Sequence, residues 1–240
     1  MNKNDKKTIN KPSKKVAKDP LRIEDLDKDL RDRIHVVRRE FIRGLNFVRQ
    51  HPRSVTFFGS ARLPEENQYY QKAQEVAEAL AEVGIDVLTG GGPGIMEAAN
   101  RGASQTTGSE TGQSLGLNIT LPEEQVLNPY VEDNESFHYF FARKVALTFS
   151  AEAYLFFPGG FGTLDEFFEI LTLVQTNKIV TVPIILVGSE FWKPLNTFIQ
   201  ETLLQEFETI SHNDMDLYFI TDDTEEIIDI VKNAPLRSED

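Results

Sequence analysis

A run of glycines between a predicted strand and a predicted helix is the clearest candidate binding site in the sequence. Residues 153–157 are apolar and aromatic, as in a buried strand, and a helical pattern of apolar residues follows from Thr163. Gly159, Gly160 and Gly162 lie between them. The first N–H groups of a helix have no partner within the helix, and glycine lets an anion approach the backbone closely. We therefore predict a phosphate site at this turn.

Two side chains at the start of this helix could add chemistry to the turn. Thr163 can either cap the helix or hydrogen-bond a phosphate. Glu166 follows one helical turn later and is expected to face the same opening. The alternative is an ordinary strand–helix turn, with a capping threonine and a solvated glutamate.

A second glycine turn repeats the pattern earlier in the chain. Residues 87–89 form a short apolar strand, a glycine-rich stretch occupies residues 90–94, and a helix-prone segment follows. A third turn follows the first strand at residues 59–62. Parallel strands bring such turns to one edge of a sheet, where ligands of α/β folds bind. The predicted phosphate-binding residues in these two turns are Gly59, Ser60, Gly91, Gly92 and Gly94.

Strands and helices alternate along the chain, which predicts an α/β fold. We expect a doubly wound, Rossmann-like parallel sheet with helices on both faces. The predicted strands are residues 54–58, 85–89, 115–121, 136–141, 153–157, 182–187 and 217–221. Residues 123–135 are polar and rich in turn formers, so a loop over the sheet edge is expected there.

The composition narrows the classes of function. The chain has 240 residues, 40% of them hydrophobic, which is enough for one substantial core. It has no cysteine and no apolar run long enough to span a membrane, so we expect a cytoplasmic protein without membrane association. A formal net charge of −13 disfavours general binding to nucleic acid.

The N-terminal part divides into two predicted segments before the main domain. Residues 1–19 are rich in lysine and predict a disordered tail; a nucleic-acid role for this tail is the alternative. Residues 20–52 predict a long amphipathic helix, with apolar residues at helical spacing from Leu26 to Val48. Residues 53–240 form the predicted nucleotide-binding domain. The exposed helix is a plausible interface for a homo-oligomer, a dimer or larger.

Other common chemistries find little support. The four histidines are scattered, which disfavours a metal site, and His138 is interpreted as a strand residue. Neither glycine turn matches the dinucleotide or the triphosphate-binding pattern. What remains is a cation pair, Arg143 and Lys144, near a predicted helix start and upstream of Glu166. Because a helix start does not favour cations, Arg143 is expected to meet an anion or Glu166; the alternative is a pair of surface cations.

At these residues the chain resembles the LOG or "lysine decarboxylase-like" family. Its two signatures are Gly-Gly-Gly-x-Gly-x-Met, here residues 90–96, and Pro-Gly-Gly-x-Gly-Thr-x-x-Glu, here residues 158–166. The Arg143-Lys144 pair is also similar to the family pattern. The resemblance runs from about Ser54 to Asn177. Glu97 and Ala142 depart from the commoner family residues and resemble a second branch with a longer N-terminal helix.

The resemblance implies an enzyme that cleaves the N-glycosidic bond of nucleoside 5′-monophosphates, releasing free base and ribose 5-phosphate. The implied substrates are AMP and its N6-modified (cytokinin) forms, and no cofactor is implied. Arg143 and Glu166 would be the catalytic pair, with Lys144, Thr163 and the glycine turns holding the phosphate. Glu124 could contact the base. The alternative is a non-catalytic carrier of a phosphate-bearing ligand, similar to molybdenum-cofactor carriers.

Overall fold

The computed structural model describes residues 23–108, 110–120 and 127–234. It divides into two compact units, Met1–Val36 and Val37–Asp240. Helix α1, Ile23–Gln50, contributes to both units. The predicted tail, residues 1–19, lies outside the described residues.

The second unit alternates strands and helices. Its strands are β1 Ser54–Phe58, β2 Asp86–Thr89, β3 Ser114–Ile119, β4 Asp133–Phe137, β5 Ala153–Phe156, β6 Ile184–Leu186 and β7 Phe219–Ile220. Its further helices are α2 Gln68–Glu82, α3 Ile95–Ser104, α4 Phe140–Thr148, α5 Phe161–Gln175, α6 Ser189–Phe198 and α7 Thr224–Lys232. A π-helix, Ile199–Glu206, continues α6, and a 3-10 helix, His212–Leu217, precedes β7.

The seven strands form one parallel sheet in the order β4-β3-β2-β1-β5-β6-β7. The predicted α/β class and doubly wound topology are confirmed. The chain builds outward from β1 to β4 and then returns to place β5 on the other side of β1. The direction of winding therefore reverses between β1 and β5. The carboxyl ends of these two strands, at Phe58 and Phe156, are neighbours in the sheet. Such a reversal opens a crevice at the carboxyl edge of the sheet.

Apolar clusters cover both faces of the sheet. Strands β1 and β5 are buried along their whole length, as expected for a sheet sandwiched between helices. One cluster packs α2, α3 and α7 against residues such as Val55 and Leu155. The other packs α4, α5 and α6 against residues such as Phe156, with Trp192 fully buried. The core thus fixes the strand ends that carry the glycine turns.

Four predicted boundaries were wrong near the site. Strand β4 begins at Asp133, inside the stretch predicted as a loop, and ends at Phe137 instead of residue 141. It is a polar edge strand, so the apolar alternation that marks a strand is missing. Helix α4 begins at Phe140, two residues before the predicted start, and α5 begins at Phe161, before Thr163. The predicted contact residue Glu124 lies outside the described residues.

The second half of α1 buries a face that is shifted from the predicted one, although Phe41 and Val48 of the predicted apolar face do pack against the core. Leu45, placed on the predicted apolar face, is 42% exposed, whereas Glu40, Gly44 and Phe47 are buried. Gly44 allows this contact, because a Cβ there would lie 2.6 Å from the ring of Phe137. This half of α1 therefore lies closely against the end of β4.

None of the helices within the described ranges has both the length and the apolar character that crossing a bilayer requires.

Candidate active site

A cavity of about 930 Å³ opens at the carboxyl edge of the sheet. Its walls are the turns after β1, β2 and β5, the end of β3 and the first turns of α4 and α5. This is the edge at which the winding direction reverses, so the topology accounts for the position of the cavity. The predicted site residues that line it are Gly59, Ser60, Gly91, Gly92, Arg143, Lys144, Gly159, Gly160, Gly162, Thr163 and Glu166.

Gly94 is the predicted site residue that does not line the cavity. It precedes α3 with a positive φ of 69°, and a Cβ there would lie 2.3 Å from the carbonyl oxygen of Ser60. The N–H of Ile95 donates to the same carbonyl at 3.0 Å. A glycine is therefore required at position 94 by the close packing of α3 against the turn after β1, independently of any role in binding a ligand.

Helix α5 presents its N-terminus to the cavity. Gly160 is its N-cap residue, and within the described part of the chain no side chain caps it. The N–H groups of its first turn therefore remain available to an anion, with the positive end of the helix dipole behind them. Thr163 does not cap this helix: it lies in the first turn and packs over Gly159, where a Cβ would fall 2.1 Å from its Oγ1.

The turn after β2 is held by a buried amide network that the sequence did not reveal. The side chain of Asn128 donates to the Gly92 carbonyl at 3.0 Å and to Oδ1 of Asn100 at 2.9 Å. Thr89 donates to the same Oδ1 at 2.6 Å and accepts the N–H of Gly91 at 2.9 Å. This internal bond occupies the Gly91 N–H, so that group is not available to a ligand. Because Gly91 has no side chain, a ligand can still approach its backbone closely.

Glu166 is a buried carboxylate inside this cavity. It is 7% exposed, and its Oε2 has no hydrogen-bond partner among the described residues. Burial raises the pKa of Glu166 to about 7; Lys144 and Arg143 lower it in part, while Glu169 and Asp165 raise it. A carboxyl group with this pKa exchanges protons near neutral pH, as a catalytic acid or base must.

Arg143 lines the same cavity from helix α4. Its guanidinium lies against the turn after β2, since a Cβ on Gly90 would be 2.9 Å from Nη1. The guanidinium carbon is 5.6 Å from the ring centre of Phe140, and Nε finds no hydrogen-bond partner in the described residues. Burial lowers the pKa of Arg143, and the Glu166 carboxylate raises it in part. Arg143 is therefore close enough to interact electrostatically with Glu166, and it keeps a buried donor for a ligand.

Lys144 bridges α4 and α5. Its Nζ is 2.7 Å from Oδ2 of Asp165 and 2.7 Å from Oε2 of Glu169. Burial opposes the lysine charge, but these hydrogen bonds prevail and raise the pKa of Lys144. Two carboxylates thus compete with any phosphate for this ammonium group.

Aromatic side chains form an apolar rim that the glycine motifs do not predict. Phe161 lies at the cavity mouth and is 94% exposed, and Phe140 lines the wall near Arg143. Leu127 and Met96 add further apolar surface. Phe161 occupies the variable position between the glycines of residues 158–166, which the glycine pattern itself does not specify. His138 does not line the cavity; its ring packs edge-on against Tyr139.

Metal coordination is not supported by the described residues. They contain no group of three or more histidine, aspartate and glutamate side chains placed to hold a metal ion.

Replacing Gly160 by alanine tests whether the turn before α5 binds phosphate. A Cβ at Gly160 meets no atom within 4 Å, so we expect the free energy of unfolding to change by less than about 0.5 kcal/mol. The methyl group would occupy the space through which an anion approaches. Titration calorimetry with inorganic phosphate should therefore show at least about a tenfold loss of affinity. An unchanged affinity would contradict phosphate binding here. Gly159→Ala is the contrasting variant, expected to destabilise the fold because its Cβ would collide with Thr163.

Replacing Glu166 by glutamine tests the cost of burying this carboxylate. Glu166 binds its proton more tightly in the folded chain than in the unfolded chain. The free energy that this tighter proton binding adds to the folded state is therefore lost as the pH rises from 4.5 to about 7. Glu166→Gln should therefore be more stable than the wild type at pH 8, by at most roughly 3 kcal/mol, and the difference should shrink towards pH 5. Urea denaturation at both pH values measures this. The control is Asp165→Asn, which changes an exposed neighbouring carboxylate and should show no such gain in stability at pH 8. If Glu166→Gln were stabilised equally at both pH values, the burial cost of the carboxylate would be refuted.

Two curated proteins are similar to this chain over about two thirds of its length. A cytokinin riboside 5′-monophosphate phosphoribohydrolase of Rhodococcoides fascians is 26% identical over 163 residues, covering 68% of this chain and 81% of that protein. A pyrimidine/purine nucleotide 5′-monophosphate nucleosidase of Escherichia coli K12 is 27% identical over 167 residues, or 65% of this chain. That match spans only 36% of the E. coli protein.

A solved structure shares the fold. The molybdenum cofactor carrier protein of Chlamydomonas reinhardtii superimposes with a TM-score of 0.53 at 20% identity, over 75% of this chain and 96% of that one.

The family comparison covers more than half of the chain. The model described as "Possible lysine decarboxylase" matches residues 96–231, a range that includes Arg143, Lys144 and Glu166. The chain therefore belongs to the lysine-decarboxylase-like family, also called the LOG family, as its two glycine signatures predicted.

Proposed function

We propose that this protein hydrolyses nucleoside 5′-monophosphates, with AMP or N6-modified AMP as substrate, to free base and ribose 5-phosphate. The observation that carries the proposal is the buried Glu166 carboxylate, placed in one cavity with Arg143 and with the uncapped N-terminus of α5. The names of the R. fascians and E. coli relatives support the same class of reaction.

The reaction follows from what each group offers. The 5′-phosphate binds at the N-terminus of α5, which places the ribose in front of Glu166. The C1′–N bond breaks with its electron pair going to the base, through a sugar that resembles an oxocarbenium ion. One water molecule is consumed: its hydroxyl group adds to C1′, and its proton ends on the released base. Glu166 either stabilises the positive sugar directly or activates this water.

Arg143 has two tasks in this proposal. Its charge orients Glu166, and its unpartnered Nε can donate to a ribose or phosphate oxygen. The exposed ring of Phe161 and the ring of Phe140 offer faces on which a purine could stack. The cavity therefore has a polar part for the sugar phosphate and an apolar rim for the base.

A second candidate function is suggested by the size of the cavity. Ligand pockets generally measure about 300–1,000 Å³. At about 930 Å³ this cavity lies near the upper end, with room for a ligand larger than a nucleoside monophosphate. A non-catalytic carrier of a larger phosphate-bearing ligand is therefore the alternative. A carrier, however, has no need of a buried carboxyl group that titrates near neutral pH.

Base release from a panel of nucleoside monophosphates tests the function. We expect AMP or N6-modified AMP to release free base, measured by chromatography, and Glu166→Gln to lower kcat by about a thousandfold. The dissociation constant for AMP should stay within about threefold, because the phosphate site is intact. AMP binding without base release by the wild-type protein would contradict the hydrolase and favour the carrier.

The pH dependence of the reaction should report the ionisation of Glu166. Because the carboxylate form is required, kcat/KM should rise with pH and level off above a pKa of about 7. Below that value it should fall about tenfold per pH unit. If the acidic limb of the kcat/KM profile had its midpoint at about 6, it would report ionisation of the substrate phosphate and would contradict the assignment to Glu166.

Assembly and location are part of the proposal. We expect a homo-oligomer in the cytoplasm, and the exposed apolar side chains of Ile42, Leu45 and Phe141 support an interface on this side of the second unit.

A further inference from the structure

Helix α4 carries Arg143 into the cavity but has no cap of its own. Its N-cap residue is Tyr139, no side chain among the described residues caps it in the usual way, and its first turn contains no acidic residue. Arg143 and Lys144 follow early in the helix, where the helix dipole disfavours positive charge. The start of α4 therefore needs a negative group from elsewhere in the chain.

Glu40 of helix α1 supplies that group. Its Oε1 accepts the backbone N–H of His138 at 2.7 Å, and its Oε2 accepts the N–H of Tyr139 at 3.1 Å. The side chain is 3% exposed. Burying a carboxylate costs less free energy when its oxygens are hydrogen-bonded, and here both oxygens accept from the two residues that precede α4.

A short chain of bonds connects Glu40 to Arg143. Tyr139 receives the Glu40 hydrogen bond through its N–H, and its carbonyl accepts the backbone N–H of Arg143 at 3.2 Å. We propose that Glu40 is a positioning residue for catalysis: it fixes the first turn of α4 and thereby holds the Arg143 guanidinium at Glu166. This inference rests on the proposed function, since that function assigns Arg143 its catalytic task.

Other contacts hold α1 in place without Glu40. Arg43 Nη2 lies 3.2 Å from the Ser136 carbonyl and 3.2 Å from Oε1 of Glu135. Gly44 lies against the ring of Phe137. These contacts reach β4 and not the N-terminus of α4. The ring of Phe41 on α1 also lies 6.3 Å from that of Phe141 in the first turn of α4. Exchanging Glu40 should therefore loosen the start of α4 while α1 stays packed.

Steady-state kinetics of Glu40→Gln in the full chain test the proposal. Glutamine keeps the size but loses the charge, and its NH₂ group faces one of the two N–H donors. A small displacement of a catalytic group is costly, so kcat for AMP should fall about ten- to a hundredfold. KM should change by less than kcat, because Arg143 is only one of the groups that hold the substrate and the turns after β2 and β5 do not touch Glu40.

The pH profile distinguishes positioning from a general loss of stability. Four groups face Glu166: Arg143 and Lys144 from α4, and Asp165 and Glu169 from α5. Only the two on α4 lower the pKa of Glu166, so releasing α4 should move the acidic limb of the rate profile to higher pH.

Two control variants separate this role from weaker packing. Arg43→Ala removes a neighbouring contact between α1 and β4. Asp223→Ala removes a carboxylate that caps α7, where it accepts the N–H groups of Glu225 and Glu226 at 2.9 and 3.2 Å. Both variants should keep kcat within about twofold and leave the acidic limb unmoved. Glu40→Gln with an unchanged kcat, or with a loss no larger than that of Asp223→Ala, would overturn the proposal.

Amide hydrogen exchange keeps the test independent of the proposed function. If the wild-type protein releases no base, the proposed function fails, but the anchoring of α4 can still be measured. Exchange in Phe140–Thr148 should become about tenfold faster in Glu40→Gln, while Phe161–Gln175 stays unchanged. Unchanged exchange in α4 would overturn the anchoring itself.

Discussion

The desolvation of Glu166 is the constraint around which the site is arranged. A carboxylate that is 7% exposed would be costly to keep ionised in apolar surroundings. Arg143 and Lys144 on α4 offset part of that cost, and the pKa of Glu166 settles at about 7. The fold therefore holds a group that can exist in either protonation state at neutral pH. A site built for stability alone would bury an apolar residue here, so the carboxylate is best explained by function.

The sheet topology makes this arrangement possible. Because β1 lies between β2 and β5, the three turns that follow these strands meet at one edge. Helix α5 then points its N-terminus into the cavity, while α4, which follows the edge strand β4, brings the cations. The cations on α4 and the buried carboxylate on α5 thus come from different helices, and the packed core holds the two helices in place. The amide network of Asn100 and Asn128 has the same effect on the turn after β2.

Local patterns in the sequence predicted much of this, because glycine turns, buried strands and amphipathic helices are local features. The turn at residues 158–166 and the parallel sheet are examples. Contacts between distant segments leave no such signal. Nothing near Glu40 indicates that it meets Tyr139, 99 positions away, and no local pattern pairs Lys144 with Asp165 and Glu169 on α5. Strand β4 was misplaced for a related reason: at a polar sheet edge, the neighbour decides the conformation.

The ionisation of Glu166 is the most direct test of this account. Carbon-13 NMR of the glutamate side-chain carboxyl groups, with Glu166→Gln to assign the resonance, would follow its titration in the ligand-free protein. The account predicts a midpoint near 7, far above those of exposed glutamates in the same spectrum. A midpoint near 4.5, the ordinary value, would mean that Glu166 is hydrated and fully ionised at neutral pH. The burial cost on which this account rests would then be absent, and the acidic limb of the rate profile could not lie near 7.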